Sequence, residues 1–143
     1  MKKVNIIYWS GTGNTEAMAN AIAEGAKIDE VEVSLLAVNQ ASADHVVNSD
    51  VLALGCPSMG QEVLEEAEME PFVESIESVV KGKKLALFGS YGWGDGEWMR
   101  NWVERMENCG AQLIDDEGLM ANNEPDDEAI TNCKELGEKL AKA

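Results

Sequence analysis

Two apolar runs constrain the fold more strongly than any other feature of this sequence. Residues 51–54 and 85–88 contain no polar side chain, and each run is short. Strands of this composition are buried on both faces, which is typical of the inner strands of a parallel sheet covered by helices. We therefore predict strands at 50–55 and 84–88 in the interior of such a sheet.

The other apolar patterns alternate between strands and helices along the chain. Residues 4–9 and 31–38 predict two more strands, and runs at 111–114 and 119–120 predict a last strand that residues 115–117 interrupt. Helical spacing of apolar residues begins near Glu16 and is found again at 66–80, 98–106 and 130–140. The alternation predicts one α/β domain over residues 1–143, a three-layer arrangement with a five-stranded parallel sheet and helices on both faces.

Several side chains that often have functional roles in other proteins are expected to have none here. Trp98 and Trp102 recur at helical spacing and are assigned to the core. His45 lies in a polar connection at 39–48, and we expect it to be a surface residue with no role. The odd number and wide spacing of the cysteines predict buried, reduced thiols; they are Cys56, Cys109 and Cys133.

The charge of the chain excludes several classes of partner. Its 27 acidic and 11 basic residues give a formal net charge of −16, which would repel nucleic acid and anionic membranes. No basic residue lies between Lys27 and Lys81, and acidic residues crowd 62–77, so that span is expected to present a negative face. Two interpretations stay open: the acids only keep the protein soluble, or they steer it toward basic proteins.

The location of the protein is predicted from what the sequence lacks. No export signal is found at the N-terminus, and no apolar run approaches the length of a membrane span. Together with the cysteine pattern, this predicts a cytoplasmic protein, and we expect it to be a monomer.

The loop after the first strand is rich in hydrogen-bonding groups. Residues 10–15 contain three hydroxyls, one amide and two glycines, and they precede a helix whose N-terminus is positive. This composition favours either a helix cap or a phosphate site, and the loop alone does not decide between them. Nucleoside triphosphatases are disfavoured, because no phosphate-loop motif is present and no Lys or Arg lies between Lys3 and Lys27.

Two further loops follow strands at the same edge of the predicted sheet. Residues 56–62 come after the third strand, and residues 90–95 come after the fourth. In open α/β sheets the carboxyl ends of the strands form the ligand crevice, so the three loops should converge. Met59 and Trp93 could enclose a flat aromatic ligand there. A phosphate at one end and a planar ring at the other describe a mononucleotide.

Three motifs in this order resemble those of the flavodoxin family, in its short-chain form from anaerobic bacteria, over essentially the whole chain. They are YWSGTGNT at 8–15, GCPSMG at 55–60 and GSYGWG at 89–94. The resemblance implies the sheet order 2-1-3-4-5, which is known for this family, with FMN as the cofactor. It implies FMN contacts from Ser10, Gly11, Thr12, Gly13, Asn14, Thr15, Pro57, Ser58, Met59, Gly60, Gln61, Glu62, Ser90, Tyr91, Gly92, Trp93 and Asn123.

The resemblance also implies a role for each group of these residues. The first loop, with Ser58 and Ser90, would hold the FMN phosphate and the start of the ribityl chain. The ring would lie between Met59 and Trp93, and the Glu62 carboxylate would accept a hydrogen bond from the flavin N3–H. The backbone at Asn123 would approach the ring. After one-electron reduction, the carbonyl of the 60–61 peptide would turn toward the flavin N5–H and stabilise the neutral semiquinone. Close relatives often have Asp where this chain has Gln61.

The function that follows is a low-potential one-electron carrier that shuttles FMN between its oxidation states and serves basic-surfaced redox enzymes. The alternative enzyme is a small flavodoxin-like quinone or flavin reductase, which would need a segment that builds a substrate pocket over the ring. A signalling domain of the same topology would need clustered acids after the first strand, where this chain has hydroxyls and glycines.

Overall fold

Strands and helices alternate along the computed structural model, which describes residues 1–115 and 117–143. The strands are β1 (Lys2–Tyr8), β2 (Val31–Ala37), β3 (Val51–Gly55), β4 (Lys84–Tyr91), β5 (Gln112–Leu113) and β6 (Leu119–Asn122). The helices are α1 (Asn14–Ala26), α2 (Ala43–Val47), α3 (Met69–Ile76), α4 (Glu97–Asn108) and α5 (Asp127–Lys142), with a short 3-10 helix at Val38–Gln40.

All strand pairs in the sheet are parallel, in the order β2-β1-β3-β4-β5, and β6 also pairs with β4. The predicted order is confirmed. The fifth position is shared by two short strands: β5 pairs with the start of β4, and β6 pairs with its end. The predicted interruption at 115–117 includes Asp116, which lies outside the described residues.

The two apolar runs occupy the middle of the sheet, as predicted. Every residue of β3 is buried, and so is β4 from Leu85 to Ser90. Helices α1 and α5 cover one face around Met18, Ile22 and Leu136, and α3 and α4 cover the other around Met69, Ile76 and Met106. Trp98 and Trp102, each 1% exposed, belong to the core between the sheet and helices α3 and α4, which confirms their assignment.

The cysteine prediction holds for two of the three residues. Cys56 and Cys133 are buried, and burial raises the pKa of each thiol to about 12. Cys109 is only half-buried, so the prediction is wrong for this residue. It directly follows the last residue of α4, where its Sγ lies 3.7 Å from Glu77 Oε2.

The acidic span 62–77 does not present a uniformly negative face, which corrects the prediction. Glu62 and Glu65 are buried. Glu70 and Glu77 both pair with Arg105, whose Nη2 lies 2.7 Å from Glu70 Oε2 and whose Nε lies 3.2 Å from Glu77 Oε2. These bonds, led by those to Glu70, raise the pKa of the Arg105 guanidinium. Part of the acidity therefore joins α3 to α4 instead of facing solvent.

The bounds of α3 and β4 differ most from the predicted ones, and α2 was not predicted. Helix α3 is shorter than the predicted 66–80, because the chain before Met69 forms turns. Strand β4 extends to Tyr91, because β6 supplies a partner for its last four residues. Helix α2 lies inside the predicted polar connection.

His45 has a structural role in α2, contrary to our prediction. Its Nδ1 accepts a hydrogen bond from Ser42 N at 3.0 Å, which forms half of a capping box. Its carbonyl accepts from the buried Asn5 amide at 2.9 Å. The residue therefore ties α2 to β1.

None of the helices within the described residues combines the length and hydrophobicity that crossing a membrane requires.

Glu65 caps α3, and we expect its charge to stabilise the protein. Its Oε1 accepts hydrogen bonds from Glu68 N at 2.7 Å and Met69 N at 3.0 Å, and its Oε2 accepts from Ala67 N at 2.8 Å. Burial acts to raise the pKa of this carboxyl, but the three amide bonds outweigh burial and lower the pKa below its ordinary 4.5. The stabilisation is therefore present above pH 4.5 and is lost as the pH falls through the folded-state pKa.

Glu65→Gln is expected to lower the free energy of unfolding by about 1 kcal/mol at pH 7, the usual magnitude for loss of a cap. Urea denaturation at pH 7 and at pH 3 measures the difference between the variant and the native protein, which should shrink at the lower pH. Glu66→Gln, at the adjacent exposed position, is the control and should leave stability unchanged at both values. An equal loss at both pH values would show that the Glu65 charge contributes nothing.

Candidate functional site

The three predicted loops meet at the carboxyl edge of the sheet. Ser58 N donates to Ser90 O at 3.0 Å, which joins the second loop to the third. Thr15 Oγ1 lies 3.0 Å from Ser90 Oγ, which joins the first loop to β4. Between the loops is an open cleft of about 240 Å³, which we call the loop cleft. It is lined by Trp9, Gly11, Thr12, Asn14, Pro57, Ser58, Met59, Ser90, Tyr91, Gly92 and Asn123.

The first loop is capped by its own serine and still has free donors. Ser10 Oγ accepts from Gly13 N and from Glu16 N, each at 3.2 Å, and Gly13 has a φ of 96° that favours glycine. Of the amides from Gly11 to Thr15, only that of Gly13 has an acceptor within the described part of the chain, and those of Gly11, Thr12, Asn14 and Thr15 have none. They surround the positive N-terminus of α1, which is the arrangement that binds an anion.

The second loop is a tight reversal. Met59 and Val63 exchange two backbone hydrogen bonds of 2.9 Å, and between them Gly60 and Glu62 have positive φ values of 51° and 54°. A Cβ on Gly60 would meet no atom within 4 Å, so backbone conformation and not space favours glycine there. Gly60 and Gln61 are exposed at the tip.

Glu62 joins the second loop to the start of α4, a role that the sequence did not reveal. Its side chain is buried, and its Oε1 accepts from Gly96 N at 3.2 Å and from Glu97 N at 3.1 Å. A Cβ at Gly94 would lie 2.5 Å from the Glu62 carboxyl carbon, so the third loop can pack over this carboxylate only with glycine at that position. Oε2 accepts no hydrogen bond from the residues that the structure describes, so this oxygen can still accept one.

The core supports the second and third loops from below. Trp98 Nε1 donates to Cys56 O at 3.1 Å, and the Tyr91 and Trp98 ring centroids are 5.8 Å apart. Gly89 allows the close approach of the two strand ends, because a Cβ there would lie 2.1 Å from Cys56 O. At the surface, Trp93 is 62% exposed, so much of its apolar area faces solvent.

Most of the predicted site residues line the loop cleft. Seven do not: Ser10, Gly13, Thr15, Gly60, Gln61, Glu62 and Trp93. Thr15 and Ser90 bond to each other in the interior, so the Thr15 hydroxyl also serves to join two elements. Asn123 has a φ of 56°, and its backbone N donates a hydrogen bond to Tyr91 O at 2.7 Å, which places it beside the third loop.

Trp9 is the lining residue that sequence reasoning missed. Its ring covers the first loop, since a Cβ at Gly11 would lie 3.0 Å from the ring, and its Nε1 donates to Glu68 Oε1 at 3.2 Å. Its place at the end of the first strand, directly before the hydroxyl-rich loop, was the available signal.

The donor set of the loop cleft fits a phosphorylated planar ligand. The four unpaired amides and the hydroxyls of Thr12 and Ser58 can hold a phosphate without a cation. The side chains of Met59 and Tyr91 can contact a ring. The fold and the cleft together define a doubly wound α/β protein that binds a mononucleotide at the carboxyl edge of its sheet.

The comparisons with known proteins name the family. The flavodoxin family model matches residues 6–137. The flavodoxin of Clostridium beijerinckii is 51% identical over 138 residues, covering 96% of this chain and 99% of that protein. The flavodoxin of Megasphaera elsdenii is 50% identical and covers 98% of this chain and 99% of its own length. The solution structure of the two-electron reduced Megasphaera protein matches with a TM-score of 0.87 over 98% of this chain and 99% of that one.

The chain therefore belongs to the flavodoxin family. It is an electron carrier with FMN as its cofactor and is not an enzyme, so the reductase alternative is excluded. The contribution of each predicted site residue stays a prediction.

Proposed function

We propose that this flavodoxin carries single electrons at low potential between redox proteins, with FMN held in the loop cleft. FMN supplies a ring that accepts and releases electrons one at a time. The observation that carries the proposal is the set of four unpaired amides at the N-terminus of α1, which could donate to a phosphate in a strongly acidic chain.

The first loop would hold the phosphate through neutral donors. Gly11, Thr12 and Asn14 line the loop cleft, and Asn14 and Thr15 begin α1. Ser10 would act indirectly, because its hydroxyl already orders the loop by accepting from two amides. Ser58, in the second loop, and Ser90, near the end of β4, would contact the phosphate end.

The second and third loops would hold the ring. Met59 would contact one face and the exposed Trp93 the other, with Tyr91 and the backbone at Asn123 beside them. The unused Oε2 of Glu62 would accept the hydrogen bond from the ring N3–H, while its Oε1 keeps the third loop in place. Binding the ring would cover the indole of Trp93 and remove its apolar area from water.

The tip of the second loop would respond to the protonation state of the cofactor. Gly60 has no Cβ and is exposed, so the peptide that joins it to Gln61 can rotate at low cost and present its carbonyl to a new N–H. An amide side chain at Gln61, where relatives often carry a carboxylate, adds no charge to this turn. The net charge of −16 and the apolar walls would oppose any further negative charge on the ring, which lowers its potential.

We further propose that the protein is a cytoplasmic monomer that meets basic-surfaced partners transiently. The charge supports this, because chains of −16 repel each other and attract cationic surfaces.

An anaerobic reductive titration followed by visible spectroscopy tests the proposal. The purified protein should be yellow, should release FMN on denaturation, and should give a one-electron intermediate with its own long-wavelength absorption. That intermediate is expected because the first electron is assisted by the 60–61 peptide and the second is opposed by charge. Direct bleaching to the two-electron reduced form would contradict one-electron transfer. A colourless protein that ignores added FMN would contradict the whole proposal.

A further inference from the structure

A second open cleft lies between α4 and the chain that enters β6. Its volume is about 320 Å³, larger than the loop cleft, and its apolar walls are Met99, Val103 and Met120. Met99 and Val103 are buried at its floor, whereas Met120 is 39% exposed at its edge. We call this feature the methionine cleft.

Two glycines give the methionine cleft its shape. A Cβ at Gly118 would lie 2.1 Å from Met99 Sδ, and a Cβ at Gly96 would lie 2.8 Å from Met120 Sδ. A side chain at either position would have to displace a thioether that forms a wall. The flexible methionines that remain can adapt to different apolar groups, a property of surfaces that bind more than one partner.

Acidic side chains lie at and near the opening. Glu117 lines the cleft and is exposed, and Asp95 and Glu97, on either side of the lining Gly96 in sequence, are also exposed. Arg100, the one basic residue among the described residues that line the cleft, is already bound to Asp95, with Nη2 3.0 Å from Oδ1 and Nη1 2.9 Å from the carbonyl. Neither Glu97 nor Glu117 pairs with a basic residue anywhere in 1–115 or 117–143. The rim therefore favours cationic groups.

The methionine cleft is continuous with the third loop. Gly96 ends that loop and also borders the cleft, and the exposed Trp93 precedes it by three residues. Whatever occupies the cleft would therefore sit beside the loop through which we propose that the ring is contacted.

We propose that the methionine cleft is a docking groove for redox partner proteins, and that it takes one apolar side chain flanked by lysine or arginine on the partner. This rests on the proposed function, since an electron carrier must dock transiently beside its cofactor. The apolar floor selects the inserted side chain, and the unpaired rim carboxylates select its basic neighbours. A second copy of this chain would bring the same acids and a net charge of −16 to the rim, which opposes self-association.

Stopped-flow oxidation of the fully reduced, FMN-loaded protein tests this docking. The probes are a basic c-type cytochrome, which must dock, and a small neutral quinone, which need not. Met120→Ser should lower the second-order rate constant with the cytochrome about three- to tenfold, the effect of truncating one interface side chain. It should leave the rate with the quinone unchanged. Val47→Ser removes another exposed apolar side chain, in α2 and away from the cleft, and is the control, with both rates unchanged.

The dependence on salt distinguishes the contribution of the acidic rim to docking from that of the apolar floor. Glu117→Gln should slow the cytochrome reaction at low ionic strength and lose its effect at about 0.5 M salt, because screening removes surface attraction. The effect of Met120→Ser should persist there. A cytochrome rate for Met120→Ser equal to that of Val47→Ser would overturn the docking proposal, as would a sedimenting dimer that Met120→Ser abolishes. Failure of the native, FMN-loaded protein to reduce the cytochrome at all would instead reject the proposed function.

Discussion

Replacing Gly137 with alanine is expected to lower the free energy of unfolding by about 2 kcal/mol, within the range for overpacking a core. Gly137 lies in α5 against α1, and a Cβ there would be 2.1 Å from Ile22 O and 2.8 Å from Ala26 N. The approach is reciprocal, since a Cβ at Gly25 would be 2.1 Å from Lys134 O. Because the opposing atoms belong to the backbone, the clash is relieved only if the two helices move apart.

The sign of this effect distinguishes packing from helix propensity. In a free helix the same change would stabilise by about 1 kcal/mol, because alanine has the higher propensity. Urea denaturation followed by circular dichroism measures the outcome. Glu138→Ala, at the adjacent exposed position, should stay within about 0.5 kcal/mol of the native protein. A Gly137→Ala variant as stable as the native protein would show that α1 and α5 separate at no cost.

Replacing Trp93 with alanine is expected to weaken FMN binding about 10- to 100-fold, on the scale of stacking a planar base on an aromatic side chain. The Trp93 indole is 62% exposed and lies between glycines that offer it no neighbouring side chain, so a bound ring would be its main apolar contact. The flavin fluorescence of the bound state should rise, because an adjacent indole quenches it.

Fluorescence titration of the apoprotein with FMN gives the affinity of each variant. Trp93→Phe keeps an aromatic face and should stay within a few-fold of the native affinity, which separates stacking from a general effect on the loop. Unchanged affinity in Trp93→Ala would remove this residue from the site. In that case Trp9, which lines the loop cleft beside Gly11, would be the aromatic partner to test next.

The sheet and its covering helices could be predicted because their signals are local. An uninterrupted apolar strand such as β3 is stable only between two layers, and helical spacing of apolar residues indicates which helix face is buried. The ends of elements were predicted less well. β4 continues to Tyr91 because β6 pairs with it from about thirty residues away in sequence, a contact that no local pattern encodes.

The site was only partly predictable for the same reason. Hydroxyls and glycines in the first loop favoured either a helix cap or a phosphate site, and the three motifs together indicated FMN. The capping roles of Glu62 and Glu65 could not be predicted from the sequence, because the two residues look alike in an acidic stretch. One of them caps α4 across the loops, and the other caps α3 beside it.

The sequence by itself determined the alternation of strands and helices, through the spacing of apolar residues. Through the resemblance of three short motifs it also implied the family, the cofactor and the loops predicted to reach it. Only the tertiary structure decided which acids are buried, which amides remain free and where the methionine cleft opens. These properties depend on distances between residues remote in the chain. A carboxylate becomes a cap, and a methionine becomes a wall, only when folding brings a second element within a few ångströms of it.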